Sequence, residues 1–404
     1  MKEKIYHLLS GNKFLFTIGK CIYDFNYYIL KLKIIGFLFR IFPIKKNKIV
    51  VNSYFGRGYG DNGKPIVDEL LKTKKNIDIV WILNKENINS YLPKGVRKVK
   101  YETIKCLFEL VTAKVWIDNS RMLFVPPKRK KQFYIQTWHA GIGFKKCEKD
   151  SIKSLTKRYI KRAIKDSKNA DLFISNSKWE THLYRSAFWY DGNILEVGIP
   201  RNDILINKKN HVEIAAKTKK KLGIKNNCRV ILYAPTFRNY DDLSCYKIDV
   251  NKVIDFLNKS TNDNWIFLIR FHPNVSYLFN EFKLDNAIDV TNYDDLYELL
   301  ITSDILISDY SSLMTDFSYL KRPVYMFATD IDKYKEDRDY LFDLTKLPFI
   351  LCKSNEELIS KMKNFDEKKY LNNLDKFYKN VGLNETGKSS QEIAKIIIKE
   401  MGID

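Results

Sequence analysis

Residues 304–320 read DILISDYSSLMTDFSYL, and this stretch indicates the fold of the chain. An apolar run over 305–307 ends in a polar turn, and a second apolar pattern with helical spacing begins near residue 312. A short buried strand that passes through a turn into a helix is the repeating unit of a parallel α/β sheet. We therefore predict a strand over 304–308, a helix over 312–320 and a ligand-facing turn between them.

The same alternation extends in both directions along the 404 residues, a length that fits two domains. Other apolar runs predict strands at 49–54, 77–83, 115–118, 133–135, 171–175, 194–197, 229–233, 265–270 and 323–327. Helical patterns lie near 63–74, 102–113, 246–260 and 293–302, and residues 354–403 are mostly helical in pattern. A lysine-rich polar stretch at 206–227 separates the two sets. The sequence thus predicts an α/β chain with two Rossmann-like halves that face across a cleft.

Residues 1–48 differ from the rest, because ten basic and two acidic residues are interspersed with large apolar side chains. This composition is typical of a basic amphipathic segment that lies in the membrane interface, with its cations on lipid phosphates. A helix packed on the protein's own core, with solvated lysines such as Lys45, Lys46 and Lys48, is the alternative. No uninterrupted apolar run approaches the ~20 residues that a membrane-spanning helix needs. We predict peripheral attachment.

The net charge of +22, from 70 basic and 48 acidic residues, predicts a polyanionic partner. Nucleic acid, an anionic membrane and phosphorylated substrates all qualify. No helix-turn-helix, zinc-finger or RNP signature is present, so nucleic acid is the remote alternative. Six cysteines lack CxxC or other metal-ligand spacing, and no metal site is predicted.

Two histidines follow predicted strands directly. His139 stands in 136–143, QTWHAGIG, where a histidine can act as a general base. His272 stands in 270–273, RFHP, two residues after Arg270, so that in extended backbone both side chains face one way. A cation and an imidazole on one face suit a phosphate. A structural histidine is the alternative in each case.

Three further clusters occupy equivalent positions. Ser311 and Ser312 stand at a helix start, where backbone N–H groups favour an anion, although an ordinary N-cap is the alternative. Thr236 and Arg238 follow the strand at 229–233 and could contact phosphate. The turn at 198–203, GIPRND, is either a domain-linking turn or a ligand contact. A run of ten basic residues over 145–168 predicts an amphipathic helix whose cations are solvated or bind an anionic polymer or lipid headgroup.

In this order, the motifs resemble those of the CDP-glycerol glycerophosphotransferase family of teichoic acid enzymes. The matching segments span roughly 48–350 and are 136–139, 190–203, 233–238, 270–273 and 308–312 with Asp316. The resemblance implies a GT-B fold, a CDP-glycerol or CDP-ribitol donor without a further cofactor, and an undecaprenyl-diphosphate-linked acceptor. It also implies peripheral attachment to the cytoplasmic face of the membrane.

The resemblance also implies a role for each residue. His139 would deprotonate the acceptor hydroxyl, His272 would stabilise the phosphate, and CMP would leave. Donor or phosphate contacts are implied for Arg270, Ser311, Ser312, Asp316, Thr236, Arg238 and Asp309. Residues on the acceptor or membrane side would be Gly141, Lys145 and Lys146. The predicted division is a membrane segment over 1–48, an acceptor domain over 49–210 and a donor domain over 211–404. A GT-B glycosyltransferase with a nucleotide-sugar donor is the alternative enzyme.

Overall fold

The computed structural model describes residues 25–238, 243–272, 275, 277–281, 286–337 and 340–403, and these residues form an α/β fold with two parallel sheets. The first sheet contains seven strands: β1 Lys45–Asn52, β2 Asp78–Leu83, β3 Val96–Lys100, β4 Ala113–Asp118, β5 Phe133–Gln136, β6 Leu172–Ser175 and β7 Asn193–Glu196. The second contains six: β8 Arg229–Tyr233, β9 Trp265–Ile269, β10 Ala287–Asp289, β11 Ile305–Ser308, β12 Val324–Phe327 and β13 Ile350–Cys352.

Helices connect and cover these strands. Their bounds are α1 Gly63–Lys72, α2 Ile104–Thr112, α3 Lys157–Asn169, α4 Lys178–Ala187, α5 Asp203–Ile206, α6 His211–Lys221, α7 Val250–Thr261, α8 Leu278–Glu281, α9 Leu296–Thr302, α10 Leu313–Ser318, α11 Ile331–Asp337, α12 Asn355–Lys363, α13 Glu367–Val381 and α14 Ser389–Met401. Several begin at a side-chain cap. Thr103 accepts a hydrogen bond from the Cys106 N–H, and Ser354 accepts one from the Glu357 N–H.

The central strands are apolar on both faces because both faces of each sheet are covered. In the first sheet Val50 pairs with Val80 on one side and Trp116 on the other, and all three are fully buried. In the second sheet Leu232 has equivalent buried neighbours on β9 and β11. The predicted α/β fold with two Rossmann-like halves is confirmed.

Three strands that the hydrophobic pattern did not predict lie at sheet edges. The first sheet has the order β3-β2-β1-β4-β5-β6-β7, and the second has β10-β9-β8-β11-β12-β13. Of these unpredicted strands, β3 has the sequence VRKVK and a single buried residue, Val99. An edge strand has one neighbour and wet side chains, so it lacks the continuous apolar run of a central strand. The lysine-rich stretch also contains a helix, α6, that was not predicted.

The chain groups into two compact units. The first unit contains the described residues up to His139, then Ile164–Phe173 and the chain from Gln391. The second contains Ala140–Ala163 and Ile174–Ser390. Ile142 and Phe144 belong to the apolar core of the second unit, together with β8 and β11 side chains. The units therefore do not follow a single cut at residue 210, and the functional division of the chain stays a prediction.

The N-terminal segment is helical from residue 25 to residue 41 and packs on α2 in the first unit. Phe39 and Phe42 make edge-to-face contacts with Phe108 at 5.4 and 5.2 Å between ring centroids. Other apolar side chains of this segment are exposed: Ile34, Phe37, Leu38 and Ile41. Residues 1–24 lie outside the described part. Within that part, no helix is long and apolar enough to cross a membrane.

Lys48 corrects one detail of the predicted basic segment. It lies in β1 and is 1% exposed, with its ammonium 2.6 Å from the Glu109 carboxylate and 2.8 Å from the Thr112 hydroxyl. A buried cation needs a counter-ion, and Glu109 supplies it. Lys48 is therefore part of the core and does not face lipid.

Candidate active site

The second sheet changes direction between β8 and β11. From β8 the chain adds β9 and β10 on one side, and it then continues with β11, β12 and β13 on the other. Ligands of open α/β sheets bind beside the carboxyl ends of the strands at such a switch point. The turns that follow β8 and β11 are 234–238 and 309–312, which contain five of the predicted donor-site residues.

Hydrogen bonds bring these two turns together. The Ser308 hydroxyl donates to the Ala234 carbonyl at 2.7 Å, and the Thr236 N–H donates to the Asp309 carboxylate at 2.9 Å. Asp309 also accepts from the N–H of Tyr310 at 2.6 Å. Thr236 and Asp309, which are 73 residues apart, are thus neighbours, as the donor-site prediction requires.

Arg238 is buried within this arrangement and is bound by carboxylates. Its Nη1 lies 2.9 Å from Asp309, and its Nε lies 2.7 Å from Asp330. Its Nη1 also donates to the carbonyl and hydroxyl of Thr236, each at 2.7 Å. A guanidinium that is bidentate to protein carboxylates has few donors left for a ligand. This geometry favours a positioning role for Arg238, in which it fixes the shape of the donor turns. It is less consistent with the predicted direct contact between Arg238 and the phosphate.

The two serines occupy the start of α10 and are half-buried. The Ser311 hydroxyl accepts a hydrogen bond from the Leu313 N–H at 3.2 Å. Ser312 stands at the N-cap position, yet its side chain makes no capping hydrogen bond. The ordinary N-cap alternative therefore does not describe Ser312. Its hydroxyl is the one of the pair that this geometry leaves available to an anion.

Asp316 lies on α10, is buried, and binds protein groups. Its Oδ2 accepts from Arg201 Nη2 at 3.0 Å and from the Tyr297 hydroxyl at 2.8 Å. Arg201 belongs to the GIPRND turn, so this turn is joined to the helix that follows the serines. Neither Arg201 nor Tyr297 was among the predicted site residues. The GIPRND motif was the available signal for Arg201, whereas Tyr297 had none.

Arg270 and His272 follow β9, the neighbour of β8. Arg270 Nη1 donates to the carbonyls of Val290 and Tyr293 at 3.0 and 2.7 Å, and burial lowers the pKa of its guanidinium. The His272 ring lies against Phe237, with centroids 5.3 Å apart. His272 therefore joins the turn at 234–238, while Pro273 lies outside the described residues.

His139 belongs to the first unit and is held by a strained turn. Trp138 has a φ of 48°, which is unusual for a bulky aromatic residue, and the Asn62 amide donates to its carbonyl at 2.8 Å. His139 Nδ1 lies 2.7 Å from the carbonyl oxygen of Asn119. A carbonyl oxygen only accepts hydrogen bonds, so in the neutral imidazole Nδ1 carries the proton and Nε2 does not. This tautomer suits a general base.

Residues at the switch point of the first sheet were not predicted. The order of the strands reverses between β1 and β4, which end in Asn52 and Asp118. The Asn52 amide donates to the Asp118 carboxylate at 2.7 Å, and burial raises the pKa of Asp118 to about 7. Asn119, which orients His139, follows directly. The available signal was the polar triplet at 118–120 after a buried strand.

The three residues predicted on the acceptor or membrane side all lie in the second unit: Gly141, Lys145 and Lys146. Of these, Lys145 lies near the donor turns. Gly141 has a φ of +52°, and a Cβ there would lie 3.2 Å from the Asn176 amide nitrogen. The Lys145 ammonium lies 5.3 Å from the centre of the Tyr334 ring. This placement favours the donor side for Lys145 over the predicted acceptor side. Among the described residues, no group of three or more His, Cys, Asp and Glu side chains could hold a metal ion.

Comparison with known proteins gives one consistent result. The family model for CDP-glycerol:poly(glycerophosphate) glycerophosphotransferase matches residues 34–399. The chain is 33% identical over 371 residues to the teichoic acid poly(glycerol phosphate) polymerase of Staphylococcus epidermidis, covering 89% of this chain and 51% of that protein. It is 32% identical over 389 residues to the Bacillus spizizenii protein of the same name, covering 92% and 98%. The chain thus spans about half of the first relative and nearly all of the second.

A solved structure agrees with these relatives. That of the wall teichoic acid polymerase TagF in an H444N variant with CDPG superposes with a TM-score of 0.79 at 32% identity. The match covers 91% of this chain and 93% of that one. The teichoic acid poly(ribitol-phosphate) polymerase of Bacillus spizizenii is also similar, at 27% identity over 96% of this chain and 61% of its own length.

Proposed function

The chain belongs to the CDP-glycerol:poly(glycerophosphate) glycerophosphotransferase family, and from that membership we propose that it transfers glycerol phosphate from CDP-glycerol to an acceptor hydroxyl, with release of CMP. The relatives named for glycerol phosphate reach 33% identity, and those named for ribitol phosphate reach 27%. This difference supports glycerol as the polyol of the donor. The acceptor that we propose is a lipid-linked teichoic acid or related cell-surface polymer.

The observation that carries this proposal is the hydrogen bond between His139 Nδ1 and the Asn119 carbonyl. It leaves Nε2 able to take the proton of an acceptor hydroxyl. The acceptor oxygen then forms a bond to the β-phosphorus of CDP-glycerol. The bond from that phosphorus to the oxygen bridging to CMP breaks, and CMP leaves with the electron pair. The proton stays on His139 until it is released to solvent.

The donor diphosphate is proposed to bind at the carboxyl ends of β8, β9 and β11. Ser312 offers a hydroxyl that makes no capping hydrogen bond at the start of α10. Asp309, in the same turn as Ser312, binds the backbone N–H of Thr236 and so joins the two turns. His272, which lies against Phe237, is proposed to donate to the phosphate that carries the growing charge. Arg238, Arg270 and Asp316 are proposed to position these groups, because each is bound to protein atoms.

Peripheral attachment to the cytoplasmic face of the membrane is proposed from the N-terminal helical segment. Phe37 is 63% exposed and Ile41 is 81% exposed, and they lie on a segment that also carries Lys31, Lys33 and Arg40. Apolar side chains that enter the acyl boundary, with cations on anionic headgroups, give the interaction its strength. A lipid-linked acceptor would be presented at the same surface.

The test is an incubation of the purified chain with a lipid-linked acceptor and either CDP-glycerol or CDP-ribitol. We expect CMP release and a phosphodiester-linked product with CDP-glycerol, and less than a tenth of that rate with CDP-ribitol. Product formation from a nucleotide sugar, with a nucleoside diphosphate as the leaving group, would instead support a GT-B glycosyltransferase. Absence of CMP release with both donors would refute the proposal.

A further inference from the structure

The backbone around Lys145 is fixed by its pairing with residues 340 and 341. The preceding residue, Phe144, is buried in the core of the second unit, and its carbonyl accepts a hydrogen bond from the Leu341 N–H at 2.7 Å. Lys145 itself forms an antiparallel bridge with Tyr340. This pairing with residues 340 and 341 fixes the position from which the Lys145 side chain extends.

The side chain of Lys145 points toward the aromatic pair beneath the serine turn. Its ammonium lies 5.3 Å from the centre of the Tyr334 ring. Tyr334 stacks on Tyr310, with centroids 4.0 Å apart and planes 10° apart. Tyr310 directly precedes Ser311 and Ser312. The ammonium is thus connected to the turn that carries the serines through one stacked pair of rings.

Two cations lie against this aromatic pair, and they differ in their ion-pair partners. Arg238 also lies over both rings, at 4.8 and 4.7 Å, but its guanidinium is bound to Asp309 and Asp330. Lys145 is half-buried, and its ammonium makes no ion pair or hydrogen bond with any residue that the structure describes. A partly desolvated cation without a counter-ion is unfavourable, so an anionic ligand would stabilise it.

We propose that Lys145 is a donor-binding residue whose ammonium pairs with the diphosphate of the nucleotide donor, an inference that rests on the proposed function. The role differs from the acceptor-side contact expected from the sequence. As the bond between the β-phosphorus and CMP breaks, the charge of the Lys145 ammonium offsets the negative charge that accumulates on the departing phosphate oxygens. The lysine that follows the general base in sequence by six residues would therefore act on the leaving group.

The experiment compares wild-type protein with Lys145→Met, Lys145→Arg and a control, Lys217→Met. Lys217 is 70% exposed and pairs with Glu213 on the surface of α6, so its loss removes one charge from an exposed helix. Dissociation or inhibition constants are measured for CDP-glycerol, inorganic diphosphate and cytidine, and CMP release is followed with a lipid-linked acceptor. Circular dichroism melting checks that each variant is folded.

We expect Lys145→Met to weaken CDP-glycerol and inorganic diphosphate by about 10- to 100-fold, the loss typical of a hydrogen bond to a charged group. Cytidine, which has no phosphate, should bind within twofold of wild type. Lys145→Arg should stay within about fivefold for all three ligands, because it keeps the charge. The control should match wild type throughout.

Three results would overturn the assignment: unchanged CDP-glycerol affinity and turnover in Lys145→Met, an equal loss of cytidine affinity, or a loss confined to the acceptor. The second would indicate a structural role, and the third an acceptor contact. A wild-type protein that releases no CMP refutes the proposed function alone, because inorganic diphosphate still tests the Lys145 ammonium on the same samples.

Discussion

Replacement of Arg238 by methionine separates a structural role from a ligand role at the donor turns. The guanidinium is 1% exposed and binds two carboxylates, of which Asp309 is 2% exposed and Asp330 is 9% exposed. Methionine approximates the aliphatic stem of arginine and can keep its apolar contact with Tyr310 and Tyr334. The substitution therefore removes the charge and its hydrogen bonds while it leaves most of the apolar contact.

The expected loss follows from the two buried carboxylates that remain. Removal of one partner from a buried ion pair typically costs about 3–5 kcal/mol, because the remaining charge is left without compensation. Folded proteins have a total stability of about 5–15 kcal/mol, so this loss is severe. Neutralising both carboxylates in the same background, by Asp309→Asn and Asp330→Asn, should recover at least half of it, since neutral amides need no counter-ion.

Urea unfolding of Arg238→Met, of the triple variant and of Arg238→Lys measures these changes, and calorimetry measures CDP-glycerol binding below the unfolding transition. Lysine keeps one charge but lacks the planar fork, so an intermediate loss of stability is expected. An Arg238→Met variant whose free energy of unfolding lies within about 1 kcal/mol of wild type would show that the buried ion pairs contribute little to stability. Unchanged stability with lost CDP-glycerol affinity would show instead that Arg238 is a direct phosphate ligand.

Three other predictions concern separate parts of the chain. His139→Asn keeps an N–H for the Asn119 carbonyl but lacks the base. CMP release in a single-turnover assay should therefore fall about 10²- to 10⁴-fold, while CDP-glycerol affinity changes less than twofold. Turnover within tenfold of wild type would exclude His139 as the base. The double variant Phe37→Ser, Ile41→Ser should bind anionic liposomes at least tenfold more weakly in a sedimentation assay, with unchanged turnover of a soluble acceptor analogue. Equal pelleting of the variant and wild type would contradict the proposal that this segment lies in the membrane interface. Burial alone would raise the pKa of Glu109, but its hydrogen bonds, chiefly with Arg97, bring the pKa below the usual value. The stabilisation by the Glu109 carboxylate is therefore present above the pKa that Glu109 has in the unfolded chain, and it is lost as the pH falls through the pKa that Glu109 has in the folded protein. In Glu109→Gln the free energy of unfolding should therefore decrease less steeply below about pH 4.3 than in wild type. Identical slopes for the two proteins would refute this.

The family membership bears directly on how these variants are interpreted. The match covers residues 34–399, which includes both sheets and all of the proposed site residues. It supports the chemistry of a CDP-activated donor. The roles of single side chains are tested by the variants: His139 as the base, Arg238 as a positioning residue and Lys145 as a donor ligand.

Much of the fold was predictable because the central strands are buried on both faces. A strand such as β8, with four fully buried residues after Arg229, gives an apolar run that is visible without any tertiary information. Edge strands carry no such run, and β3 and β10 were missed for that reason. The helix α6 was missed because its lysines were interpreted as a linker, although a surface helix can be strongly basic on its exposed side.

Candidate site residues could be proposed from the sequence where a turn at a strand's carboxyl end carries polar residues. His139, His272 and the serines at 311 and 312 were predicted in this way, because the position of a strand end follows from the sequence pattern. Side-chain partners were not predictable. Arg238 and Asp309 were both expected to contact the donor, but their ion pair with each other at 2.9 Å was not predicted.

The sequence by itself determined the alternation of central strands and helices, the family, and the turns that carry the candidate site residues, since these depend on local hydrophobic patterns and short motifs. Tertiary structure alone decided which of those polar residues are committed to protein partners. Glu385 is one example, because it accepts hydrogen bonds from Asn176 and Asn202, which lie 209 and 183 residues away, and burial raises its pKa to about 8. Lys145 is the opposite case, since the packing of Phe144 and the bridge to Tyr340 bring its ammonium to the Tyr334 ring without an ion pair to any residue in the described part of the chain. Such contacts arise between segments that are distant in sequence, so their charges and hydrogen bonds leave no local pattern to recognise.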